Sequence, residues 1–257
     1  MLEELVAGAT EDARLRRSQV SWEQLVAAAS EMPPVAASAH LVSGAKQVGI
    51  IAEIKRASPS KGALADISDP VGLAMEYEAG GASAISVLTE SRRFKGSLED
   101  LERVAAAVDI PVLRKDFLTS TYQVVEARAH GASMVLVIMA AVDDDVARAL
   151  IDQAHAWGMA ALVEAHSADE VRRAVDLGAK IIGINARDLA TFELNRSLFS
   201  SLRGLIPGGV AAVAESAVST PADVAAYRQQ GADFVLVGEA LVTGDNPQAT
   251  VREYCQS

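Results

Sequence analysis

Gly131-Ala132-Ser133-Met134-Val135-Leu136-Val137-Ile138 is the stretch from which the architecture can be read. Glycine takes the left-handed cap at the end of a helix at no steric cost, and the small alanine lets the chain enter the next element closely. The apolar run that follows has no polar alternation, as a strand buried on both faces requires. The same device recurs at Gly81-Ala82 before Ala84–Leu88, at Gly178-Ala179 before Ile181–Ile184, and at Gly231-Ala232 before Phe234–Val237. Its spacing of about 50 residues is too long for one strand–helix unit and right for two. Between the marked strands lie further apolar runs at Ile110–Lys115, Ala160–Glu164 and Val210–Ala214, and one more begins at about Gly49. That makes eight strands, each followed by a helix. Such a series implies parallel pairing through right-handed crossovers. Length and count fit a closed (βα)8 barrel, the TIM barrel, better than an open doubly wound sheet. No Gly-x-Gly-x-x-Gly follows the first strand, which also counts against a dinucleotide-binding sheet. Upstream, Leu2–Arg17 and Ser21–Glu31 read as two amphipathic helices, the second opened by a Ser21/Gln24 capping box and stopped by Met32-Pro33-Pro34. There is no composition break. The chain reads as a single domain, 1–257, of which 1–47 is an N-terminal helical extension.

Composition narrows the partners. With 23 basic against 34 acidic residues the formal charge is −11, which argues against sequence-independent binding to nucleic acid or anionic lipid. A small anionic substrate held by a few local cations is still allowed. The single cysteine, Cys255, permits neither a disulfide framework nor a thiolate metal site within one chain and fits a reducing compartment. The start, Met1-Leu2-Glu3-Glu4-Leu5, lacks the basic and apolar regions of a signal peptide. The longest apolar run, Met134–Val142, is half the length of a membrane span. The expectation is a cytoplasmic protein with no membrane or nucleic-acid partner, a monomer or weak homo-oligomer.

Chemistry is expected at the C-terminal ends of the strands. The first strand continues as Glu53-Ile54-Lys55-Arg56-Ala57-Ser58-Pro59-Ser60-Lys61-Gly62. Glu53 and Lys55, two apart, point to one side of it. Burying both costs several kcal/mol or more unless they are paired or used. The hydroxyl-rich, cationic turn beyond them suits an anion. The other ends supply Glu90, Lys115-Asp116, Glu164, Asn185, Glu215-Ser216 and Gly238-Glu239. Alternate strands fill the same layer of a barrel, so Lys55, Lys115, Glu164 and Glu215 from the odd strands can converge, with Glu53 one step below. Two lysines beside three glutamates suit anion recognition, or an ammonium held charged as a proton donor. The alternative is a desolvated lysine acting as a Schiff-base nucleophile. His166 follows Glu164 by two and reads as structural, and no His or Cys cluster has metal-ligand spacing. Ser216 and Gly238, after strands seven and eight, are placed to receive a phosphate. Phe94, Phe117 and Leu189, in loops beyond strands two, three and six, are fit to wall a planar ring or simply to pack a lid.

These residues resemble indole-3-glycerol phosphate synthases of tryptophan biosynthesis. The similarity is carried by Ile51–Gly62, by Ser86-Val87-Leu88-Thr89-Glu90 and by Phe94-Lys95-Gly96-Ser97. It continues through Val112–Phe117 with Tyr122-Gln123, Leu162-Val163-Glu164, Ile184-Asn185 with Arg187-Asp188-Leu189, and Ala214-Glu215-Ser216. The resemblance implies ring closure of 1-(2-carboxyphenylamino)-1-deoxyribulose 5-phosphate with loss of carbon dioxide and water, and neither cofactor nor metal. It implies Lys115 as the acid on the ketone oxygen and Glu164 as the partner for proton removal. Glu53, Asn185 and Glu215 then hold the ribulose hydroxyls and set the lysine's charge, and Lys55 faces the substrate's carboxylate or phosphate side. Ser58, Ser216 and Gly238 are implied for phosphate, with Phe94, Phe117, Arg187 and Leu189 lining the substrate. Three positions depart from the family pattern. Ala217 stands where Gly is usual, Ala186 where a second Asn is usual, and Glu239 where many relatives have Ser. The expectation from Glu239 is a carboxylate opposing the phosphate. Competing readings are a Schiff-base aldolase using Lys115 or Lys55, a sugar-phosphate isomerase of the same pathway, whose usual Cys and Asp pair has no counterpart here, and an inactive phosphate-binding barrel or interaction module.

Overall fold

The computed structural model describes residues 1–39, 41–44, 47–189 and 191–257. His40, Ala45 and Lys46, which fall in the predicted N-terminal extension, lie outside the described residues.

Eight parallel strands close into a barrel: β1 (Gly49–Ile54), β2 (Ala84–Leu88), β3 (Val112–Lys115), β4 (Met134–Ile138), β5 (Ala160–Ala165), β6 (Ile181–Asn185), β7 (Ala211–Glu215) and β8 (Phe234–Val237). Closure is made by β1 against β8, with Ile51 opposite Leu236 and Ala52 opposite Val237. The four predicted glycine caps all hold, with φ of 99° at Gly81, 83° at Gly131, 78° at Gly178 and 89° at Gly231. The strand boundaries move slightly. β3 starts at Val112 because the N–H groups of Asp109 and Ile110 are taken by Glu78 and Pro111 has none. β7 runs on to Glu215, so that carboxylate belongs to the strand itself.

Alternation divides the side chains as the pleat requires. Ile51, Leu113, Leu136, Leu162, Val213 and Leu236 fill the lower barrel interior. Ile50, Ile85, Val135, Val163, Ile182 and Val235 face outward against the helices. Those helices are α3 (Pro70–Gly80), α4 (Leu98–Ala105), α5 (Thr121–Ala129), α6 (Asp144–Ala156), α7 (Ala168–Asp176), the short α8 (Leu198–Leu202), α9 (Pro221–Gln229), the short α10 (Glu239–Val242) and α11 (Pro247–Cys255).

Preceding the barrel are α1 (Leu2–Gln19) and α2 (Trp22–Glu31), two residues longer and one shorter than expected. The capping box is present: Gln24 N–H donates to Ser21 Oγ, and Ser21 N–H to Gln24 Oε1. α2 packs Leu25 and Ala29 on Tyr122 and Val125 of α5. Leu5 and Ala9 of α1 join the interior cluster beside Phe117 and Ile138, so α1 lies across the end of the barrel where the strands finish. Among the described residues no helix is long and apolar enough to cross a membrane.

Candidate active site

A cavity of about 240 Å³ opens at that end. It is lined by Glu53, Lys55, Lys115, Glu164, Asn185 and Glu215, with Ser58, Phe94, Phe117, Arg187, Leu189, Ser216 and Gly238. At its floor Lys115 Nζ stands 2.9 Å from Glu164 Oε2 and 3.4 Å from Glu215 Oε2. Burial alone would lower the lysine's pKa, but Glu164, Glu215 and Glu53 together outweigh it and raise it, so the ammonium stays charged. Glu164 is buried yet held well below the usual carboxylate range, because Lys115 and His166 oppose the burial cost. Glu215 goes the other way: burial and the neighbouring Glu164 push it to about 8. Two carboxyl groups on one lysine thus differ in charge near neutral pH, one ionised and one carrying a proton.

The polar layer is held rigidly. Asn185 Nδ2 donates to Glu164 Oε1 at 3.2 Å, while its Oδ1 accepts from Ser216 Oγ at 2.7 Å and from the Arg187 N–H at 3.0 Å. Gly183, opposite Glu164 in the β5–β6 register, has a role the sequence alone did not reveal. A Cβ there would overlap Glu215 Oε1, so the missing side chain makes room for the carboxylate. Glu215 Oε1 is itself buried with no hydrogen-bond partner among the described residues.

Above the floor the walls differ. Phe94 and Phe117 face each other with centroids 6.3 Å apart at 43°, leaving an apolar slot on one side. Barrel closure sets β1 beside β8 and brings Gly238 close to Glu53 and Lys55. Ser58 and Ser216 border the same cavity, so the two possible anion positions, after β1 and after the last two strands, both open into it. Lys55 Nζ pairs with Glu53 Oε2 at 2.5 Å. A side chain at Gly238 would overlap that Glu53 oxygen and crowd Lys55. Ser216 and Ala217 both have positive φ, 69° and 59°, a conformation that turns successive N–H groups to one side. The turn after β1 is a small hairpin, Ala57–Ser58 against Gly62–Ala63.

Glu239 lines the cavity beside Gly238, and its carboxylate is ion-paired with Lys61 from the β1 hairpin. Two expectations need correction. Glu90 does not line this cavity; it accepts the N–H groups of Arg92, Arg93 and Phe94 and so shapes the loop that carries Phe94. His166, read as a lone histidine, is 3.3 Å from Glu164 Oε1 and 3.3 Å from Glu170 Oε2. Ala186 is buried between the lining residues Asn185 and Arg187, does not itself line the cavity, and donates its N–H to the Glu215 carbonyl at 3.0 Å.

Arg114 was not singled out from the sequence. It points out of the barrel, fully buried, and binds Asp116 at 3.0 Å and Glu126 at 2.9 Å, while Arg16 of α1 reaches Glu126 from outside at 2.6 Å. Charges on both sides of Lys115 thus tie β3 to α5 and to the extension. Among the described residues no group of three or more His, Cys, Asp or Glu is placed to hold a metal ion.

Comparison with known proteins agrees with this geometry. A family model described as indole-3-glycerol phosphate synthase matches residues 2–254. The indole-3-glycerol phosphate synthase of Beutenbergia cavernae is 53% identical over 257 residues, covering 98% of this chain and 94% of that one. That of Leifsonia xyli subsp. xyli is 55% identical over 254 residues, covering 99% and 97%. Among solved structures, 3-hexulose-6-phosphate synthase from Salmonella typhimurium superposes with a TM-score of 0.67 over 81% of this chain and 97% of its own, at 14% identity, a likeness of fold alone. By sequence along its whole length the chain belongs to the indole-3-glycerol phosphate synthase family.

Proposed function

We propose that the cavity closes the indole ring of 1-(2-carboxyphenylamino)-1-deoxyribulose 5-phosphate, with loss of carbon dioxide and water, by general acid–base catalysis. The observation that carries this reading is the placement of Lys115 Nζ 2.9 Å from Glu164 and 3.4 Å from Glu215, at the floor of a cavity that has the Phe94–Phe117 pair in one wall and Lys55, Ser216 and Gly238 in another. The substrate has the same three parts: a carboxylated ring, a ketone with hydroxyls, and a phosphate. Seated with its ring between Phe94, Phe117 and Leu189 and its phosphate against Lys55, Ser58, Ser216 and Gly238, it presents its ketone to Lys115.

The ammonium donates its proton to the ketone oxygen as the ring carbon bonds to the carbonyl carbon. Loss of carbon dioxide returns its electron pair to the ring. Departure of the new hydroxyl as water and removal of a proton from the carbon beside nitrogen complete the indole. Glu164, ionised and 2.9 Å from the lysine, takes that last proton. Glu215 Oε1 and Asn185 are fit to hold the ribulose hydroxyls, Glu53 keeps Lys55 in place, and Arg187 extends the cationic rim. The slot excludes water and strengthens each of these interactions. Lys61, paired with Glu239, shields the phosphate corner from that carboxylate. In this reading barrel and extension act as one domain, as a monomer or weak homo-oligomer, in the cytoplasm.

Mixing the purified protein with the carboxyphenylamino substrate should produce indole fluorescence, and borohydride added during turnover should leave no adduct. Absence of indole product contradicts the reading. A trapped lysine adduct replaces it with Schiff-base chemistry.

A further inference from the structure

We propose that His166 and Glu170 form the route by which the proton consumed in each turnover passes from solvent to Glu164 and Lys115. The inference rests on the ring-closure reading above and adds a path that the reaction requires.

The requirement comes from proton balance. The substrate enters with its carboxylate ionised. One proton goes to the ketone oxygen as the carbon–carbon bond forms, and a second leaves with the hydroxyl as water. Carbon dioxide departs without a proton, its bonding pair returning to the ring. One proton comes back from the carbon beside nitrogen. Two protons are delivered and one is recovered, so each turnover draws one from water. The second delivery falls while the substrate still fills the cavity, when the open mouth is blocked. Glu215 can lend a proton but must then be refilled by the same outside supply.

A line of groups leads out behind Glu164. Its Oε2 is 2.9 Å from Lys115 Nζ, and its other oxygen, Oε1, is 3.3 Å from His166 Nε2, which makes no hydrogen bond among the described residues, so the ring has to tilt to hand on its proton. His166 Nδ1 lies 3.3 Å from Glu170 Oε2. Neither His166 nor Glu170 lines the cavity, so a bound substrate does not cover them. Exposure rises along the line, from 1% at Glu164 through 11% at His166 to 17% at Glu170. The geometry is fixed at the start of α7: the His166 N–H donates to Glu170 Oε2 at 2.9 Å, and Ser167 Oγ donates to Glu170 Oε1 at 3.0 Å.

An imidazole is suited to this task because it can release a proton from one nitrogen while accepting another at the second. The charged and titratable groups facing it are Glu164 from β5, Glu170 from α7 and, farther off, Glu215 from β7. Burial would lower its pKa, but Glu164 and Glu170 raise it to about 10, so the ring holds both protons at neutral pH. In the delivery step the Nε2–H bond breaks toward Glu164 Oε1 and Glu164 passes a proton to the spent lysine; the ring, left neutral with its proton on Nδ1, turns over to present its bare nitrogen to the Glu170 side, where it takes up the next proton.

His166→Gln tests the route, since an amide can hydrogen-bond both glutamates but cannot carry a proton. Steady-state kinetics should show kcat reduced by roughly tenfold or more with KM changed by less than about threefold. Imidazole added at constant pH should restore part of the lost kcat. Glu170→Gln should lower kcat in the same direction by a smaller factor, relieved by the same additive, and serves as the measure if the histidine variant does not fold. A kcat within about twofold of wild type in the variants that fold overturns the proposal, as does a loss that imidazole leaves unchanged. Lys115→Met separates this from the ring-closure reading, because its inactivity should not respond to imidazole.

Discussion

Ala217 adopts a φ of 59° directly after Ser216 at 69°, and for residues with a Cβ each such turn costs about 1–2 kcal/mol. The strain is held by Ser216 Oγ on Asn185, by Tyr227 Oη on the Ser216 carbonyl, and by Arg196 on the Ala217 carbonyl at 2.9 Å. Ala217→Gly should therefore stabilise the protein by about 0.5–1 kcal/mol in urea unfolding, because the relieved strain exceeds the added freedom of the unfolded chain. Gly238→Val should abolish competition by inorganic phosphate or sulfate, since its side chain would fill the corner beside Glu53 and Lys55. Retained competition in an intact Gly238→Val protein would move the phosphate elsewhere. The meeting of Lys115, Glu164, Glu215 and Glu53 in one cavity was legible in the sequence because strand alternation and odd-strand layering fix which side chains converge. The placing of His166 between two carboxylates was not, because one of them is Glu170, four residues on and around the first turn of a helix. The neutralisation of Glu239 by Lys61 was hidden for a related reason: these residues are 178 apart and meet only through barrel closure.

At the scale of elements, the (βα)8 order followed from the glycine caps and apolar runs, whereas the docking of the extension did not. α1 carries Glu11, Asp12 and Arg16, which on a surface helix are ordinary solvated charges. Here Glu11 and Asp12 hold Arg92 of the β2 loop, and Arg16 shares Glu126 with the buried Arg114. The Arg92 pairs are exposed and worth little individually. Arg114 differs, since leaving a buried guanidinium without one of its carboxylates typically costs about 3–5 kcal/mol. Glu126→Ala should lower unfolding free energy by that amount and loosen α1, read as faster amide exchange over α1 and the Phe94 loop. A loss below about 1 kcal/mol would show that Asp116 alone satisfies the arginine. Arg114 escaped notice in the sequence because an arginine within an apolar strand looks exposed until the helix carrying its partner is in place.

For the whole molecule the shifted groups set how stability depends on pH. His166 binds its proton more tightly folded, at about 10 against 6.5, so its contribution is complete below 6.5 and is lost as pH rises through 10. Glu215, at about 8 against 4.5, keeps a proton that the unfolded chain gives up, so stability also falls as pH rises between those values. Glu164 is lowered, and its contribution is lost toward acid instead. Thermal unfolding should show a midpoint that declines from pH 7 to 10, and the decline should be shallower in His166→Gln. An equal decline in both proteins would assign it to other groups. All of these charges are arranged around one ammonium, and the most direct measurement of the account is the turnover of Lys115→Met beside its affinity for substrate. The predicted result is a kcat reduced by about 10²–10⁴-fold with substrate still bound within a few-fold of wild-type affinity. A Lys115→Met protein that keeps more than about a tenth of wild-type kcat would contradict it and pass the acid's role to Lys55.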